Sequence, residues 1–148
     1  MSSYNPNPKS KSTCCQYPQN KSTIVRADPK GKNEVPPNAS SATGRLVGLL
    51  SPNESRLDFA LQTEGLINIT AAHFHDGPKG VNGPVIKNIN IDASTGAAIG
   101  SWTTTDLIQP LTPAIVSKLK SCGIYINVHT ATFPGGEIRA QVYLCCAK

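Results

Sequence analysis

Residues 43–62 read Thr43-Gly44-Arg45-Leu46-Val47-Gly48-Leu49-Leu50, then Ser51-Pro52-Asn53-Glu54, then Ser55-Arg56-Leu57-Asp58-Phe59-Ala60-Leu61-Gln62. In the second arm Leu57, Phe59 and Leu61 alternate with Asp58 and Gln62. A period of two puts the apolar set on one face of a strand. The Pro-Asn centre between the arms is turn chemistry. The stretch therefore predicts a β-hairpin with one buried face.

The same pattern recurs outward in both directions. Short strands are expected at 22–27, 67–75, 85–91, 98–104, 124–129 and 137–144. Asp76-Gly77-Pro78, residues 92–96 and Phe133-Pro134-Gly135-Gly136 supply turns, and 33–41 is a loop around Val35-Pro36-Pro37. One helix is expected over 112–121. Thr112 suits the N-cap and Pro113 the first helical position, and Leu111 and Val116 fit a hydrophobic staple. Ile115 and Leu119 share a face, and Gly123 fits the left-handed position after the helix. About eight short strands with one short helix predict an all-β fold, an antiparallel sandwich.

The chain has 148 residues, which suits one domain: an extended polar arm over 1–22, a sandwich over 23–144 and a tail over 145–148. Only 16% of residues are charged, and Gly and Pro number 12 each, which argues against a helical bundle. No apolar run approaches the ~18 residues of a membrane-spanning helix. The net charge of +5 sits in residues 1–32, where Lys9, Lys11, Lys21, Arg26, Lys30 and Lys32 face Asp28 alone. That arm holds no basic run and no nucleic-acid motif, so neither nucleic acid nor membrane is an expected partner. The first residues carry no apolar leader, so synthesis in the cytoplasm is expected.

The cysteines stand at Cys14-Cys15, Cys122 and Cys145-Cys146. Two pairs lie at opposite ends, outside the expected core. A domain of this size folds without cross-links, so Cys14, Cys15, Cys145 and Cys146 are better explained by disulfides between chains. The role of Cys122 stays open. The leading expectation is a non-enzymatic structural subunit whose partner is itself. It would polymerise into a filament, spore surface layer or particle and reach an exposed surface after cell lysis.

The chain's three histidines carry a second possibility. His73 and His75 point to one face of a strand, and His129 on a neighbouring strand could complete a three-nitrogen site for copper or zinc. Structural, hydrogen-bonded histidines at the mouth of the sandwich are the other reading. No nucleophile-and-base spacing points to an enzyme. Glu137 and Arg139 share a strand face, as an ion pair or as a loop anchor.

Three patches carry a family resemblance. They are Asn33-Glu34-Val35-Pro36-Pro37 with Ala42-Thr43-Gly44, Ala71-Ala72-His73-Phe74-His75-Asp76-Gly77-Pro78 with Asn82-Gly83-Pro84-Val85, and residues 124–130 with Phe133-Pro134-Gly135-Gly136-Glu137-Ile138-Arg139-Ala140-Gln141. In this order they resemble the chordin-type CHRD domain from about residue 24 to 144. That resemblance implies a sandwich and allows a protein-interaction module. A more distant likeness, to copper–zinc superoxide dismutase, implies an antiparallel Greek-key sandwich, superoxide-dismutase-like or immunoglobulin-like, in which His73, His75 and His129 are copper ligands and Arg139 an anion guide. No histidine lies between His75 and His129, so the bridging and zinc ligands of that enzyme have no counterpart.

Overall fold

The structure, a computed structural model, describes residues 20–145. Most of the expected arm, with Cys14 and Cys15, and the end of the tail, with Cys146, lie outside the described residues. Nine strands and one helix follow in order: β1 (Thr23–Ala27), β2 (Thr43–Leu50), β3 (Arg56–Glu64), β4 (Ile69–Asp76), β5 (Val85–Ile89), β6 (Ala97–Thr103), α1 (Pro113–Lys120), β7 (Ile124–Thr130), β8 (Ile138–Gln141) and β9 (Tyr143–Cys145). They form two antiparallel sheets, ordered β6-β3-β2-β1-β9 and β5-β4-β7-β8. The fold is thus the all-β sandwich that the alternation predicts. Among the described residues no helix is long and apolar enough to cross a membrane.

The hairpin of residues 43–62 sets the register of the larger sheet. Leu46, Gly48 and Leu50 pair with Leu61, Phe59 and Leu57, so all six share the inner face. Gly48 and Gly100 flank Phe59 across the sheet, and a side chain at Gly100 would strike its ring. Phe59 meets Phe74 of the other sheet edge-to-face at 5.2 Å, and Phe74 stacks on Trp102 at 5.2 Å. These aromatics join the layers, and aliphatic residues such as Leu46, Leu57, Ile126 and Val128 fill the space around them.

Three details differ from the sequence reading. The strand expected over 137–144 is two strands in different sheets, because the chain crosses between layers at Val142, which is fully buried. Within the segment before β2, residues 31–33 form a short 3-10 turn. At the end of α1 the left-handed residue is Cys122, with φ 59°, and Gly123 does not take that role. Thr112 does cap the helix, its hydroxyl accepting from Ile115 N–H at 3.2 Å.

Candidate metal centre

The smaller sheet turns a polar face outward. In register, Ala71 lies opposite His129, His73 opposite Asn127, and His75 opposite Tyr125. Asn127 is in turn opposite Arg139, and Tyr125 opposite Gln141. Alternation places all of these on one face, while Ala72, Phe74, Ile126 and Val128 point into the core. Three connections cover this face: the segment before β2, the 77–84 loop, and the 131–137 loop. Polar side chains are buried there without entering the apolar core.

The structure brings the three predicted histidines together. Each offers a ring nitrogen, and the three atoms lie within 4.8 Å of one another. The small side chain of Ala71 leaves room for His129 to lean toward His73, whose Nδ1 is 3.1 Å from His129 Nε2. Two rings are oriented by backbone carbonyls. His75 Nδ1 lies 2.9 Å from Gly83 O, and His129 Nδ1 lies 2.9 Å from Pro134 O. A carbonyl can only accept, so each Nδ1 carries the proton and each Nε2 has a lone pair, which in His129 accepts from His73 Nδ1. Histidines that ligate metals are commonly fixed this way. Tetrahedral ligands at ~2.0–2.1 Å sit about 3.3 Å apart, so modest ring rotations would close the site on an ion.

The electrostatics favour neutral rings. Burial, with His129 and His75 nearby, pushes His73 down to about 4. Burial also lowers His75, which is 7% exposed and whose Nε2 has no hydrogen-bond partner. Neutral imidazoles are the form that binds metal.

Arg139, expected to guide anions, is placed differently. It is 1% exposed, and its guanidinium donates to Asn82 Oδ1, Pro78 O and Val81 O at 3.0, 3.2 and 2.8 Å. It lies 3.5 Å over the Tyr125 ring, and Tyr125 stacks on His75 at 4.6 Å. Arg139 thus clamps the 77–84 loop, the loop whose Gly83 orients His75, and presents no charge to solvent. Glu137 is the loop anchor of its two readings: its carboxylate accepts from Ser40 Oγ and Thr130 Oγ1, both at 2.6 Å.

The sequence shows Glu34 and Asn127 only as parts of the family pattern, with no role for either; they are 5% and 3% exposed. Burial pushes the Glu34 carboxyl up to about 7, against the opposing charge of Arg139 and the nearby Asn127 amide. Glu34 Oε1 and Asn127 Oδ1 have no hydrogen-bond partner. The available signal was the period of β7: Tyr125 and Asn127 share the parity of His129 and so had to share its face.

Cys122 is disulfide-bonded. Cys145 is a free, half-buried thiol at the end of edge strand β9, paired in register with Ile24.

Comparison with known proteins gives one family. The model of the CHRD domain matches residues 25–142. No curated protein and no solved structure matches the chain.

Proposed function

The chain belongs to the CHRD domain family, and from that premise we propose that its sandwich is a binding scaffold that holds one zinc or copper ion through His73, His75 and His129. One observation carries the reading: a ring nitrogen of each of the three imidazoles falls within one small volume, and two of the rings are fixed by backbone carbonyls through Nδ1. His129 meets protein partners at both ring nitrogens, Pro134 O and His73 Nδ1, whereas His75 Nε2 is buried with none. A borderline ion that accepts three imidazoles suits the site, hence zinc or copper in preference to calcium or magnesium. Such an ion would tie β4 to β7 and the loops that cover them.

Calorimetric titration of metal-free protein tests this. Wild type is expected to bind one equivalent of zinc or copper(II), and His129→Ala to lose most of the affinity. Equal titrations for the two proteins would remove the claim.

A second reading, self-assembly through disulfides between chains, has its own support in Cys145. This thiol is free and sits on the edge strand of the larger sheet. The outer face of that sheet also exposes Ile24, Val47, Leu49 and Ile99. Apolar residues gathered on a solvent face are common where proteins meet.

A further inference from the structure

We propose that the side-chain oxygen of Asn127 is the fourth donor of the histidine site, and that Glu34 and Gly136 hold the amide in the orientation this requires. The proposal rests on the metal-binding reading and specifies its coordination as three nitrogens and one oxygen.

Placement comes first. Asn127 is directly opposite His73, diagonal to His75 and two residues before His129 on the same strand, so it stands among all three rings on one face. Orientation follows from Gly136. A Cβ at that glycine, which has φ 122°, would lie 2.5 Å from Glu34 Oε1 and 2.6 Å from Asn127 Nδ2. The amide nitrogen and the carboxylate therefore share the space that a side chain would fill. The Asn127 side chain also neighbours His75, so the amide lies between Glu34 and His75, and with Nδ2 on the Gly136 side beside Glu34 its Oδ1 is the atom left for the histidines.

That leaves an arrangement the protein alone does not satisfy. His75 has its ring proton on Nδ1, committed to Gly83 O, so its Nε2 is an acceptor. Asn127 Oδ1 is also an acceptor. Both are buried and both lack a partner. Two buried acceptors side by side cost desolvation with nothing in return. A metal ion at His75 Nε2 would satisfy both, because each lone pair then faces a cation. Three imidazoles and an amide oxygen favour zinc or copper(II) over copper(I), which selects softer sulfur ligands.

Zinc calorimetry on the full chain separates the possibilities, with cobalt(II) as the spectroscopic substitute for zinc. The variants are Asn127→Leu, Asn127→Asp and His129→Ala. Asn127→Leu, with circular dichroism like wild type, is expected to weaken zinc about 10- to 100-fold and to alter the cobalt visible bands. Asn127→Asp keeps an oxygen donor and adds charge, so it should bind at least as tightly as wild type. If Asn127→Leu binds as wild type does while His129→Ala loses zinc, the histidine site stands and the Asn127 donor is overturned. If Asn127→Asp is as weak as Asn127→Leu, an oxygen at this position has no role and the proposal falls. If Asn127→Leu does not fold, Asn127→Asp decides alone: binding weaker than wild type overturns the proposal. If wild type binds no metal, the underlying reading fails and the proposal with it.

Discussion

At the scale of single residues, the outer face of the smaller sheet holds two titrations of opposite sign. The Glu34 carboxyl sits at about 7 in the fold against 4.5 unfolded. Between those values the folded chain keeps a proton that the unfolded chain has released, so this group lowers stability as pH rises through the window, and fully above it. His73 sits at about 4 in the fold against 6.5 unfolded. Its contribution is present above about 6.5 and is lost as pH falls toward 4. Glu34→Gln, fixed in the neutral form, should therefore melt higher than wild type near neutral pH and like wild type near pH ~4, the gap at neutral pH reaching on the order of 3 kcal/mol. Thermal melts of metal-free protein across that range check this. A variant no more stable than wild type at neutral pH would show that the Glu34 carboxylate is better satisfied than its burial implies.

At the scale of elements, the 77–84 loop links fold to site. Arg139 clamps it, and its Gly83 carbonyl orients His75. A side chain at Gly83 would overlap the Asp76 carbonyl, whereas one at Gly80 meets nothing within 4 Å. Gly83→Ala should therefore weaken metal binding as well as stability. Gly80→Ala should cost only the left-handed backbone penalty of ~1–2 kcal/mol, its φ being +82°, and leave metal binding intact. Equal metal affinity in the two variants would contradict the loop's role. The hairpin of 43–62 and the face shared by His73 and His75 were legible because alternation is a local signal. The break of 137–144 at Val142 was not, since two short strands with one parity read the same whether or not the chain changes sheets. Nor was the destination of Arg139: a strand pattern gives a residue's face but not what covers that face. Glu34 reaches Asn127 from a loop about ninety positions away in the chain, a pairing that no local pattern encodes.

At the scale of the whole molecule, the two sheets divide the work. The larger sheet buries one apolar face and shows solvent a mixed face bearing Ile24, Val47, Leu49 and Ile99. The smaller sheet buries one face in the core and half-covers the other with loops, and that half-covered polar face holds the histidines. If self-assembly through disulfides operates, oxidised native protein should run as a covalent ladder on denaturing gels and collapse with reductant to the 15.7 kDa chain. Cys145→Ser should shorten the ladder, and a purely monomeric band would refute it. The central claim is a single metal ion bound by side chains of β4 and β7. X-ray absorption on protein loaded with one equivalent of zinc tests it most directly. The account predicts a shell of light ligands at ~2.0–2.1 Å with the outer-shell scattering of three imidazoles, reduced in His129→Ala. A zinc spectrum showing only water-like oxygen ligands and no imidazole scattering would contradict it.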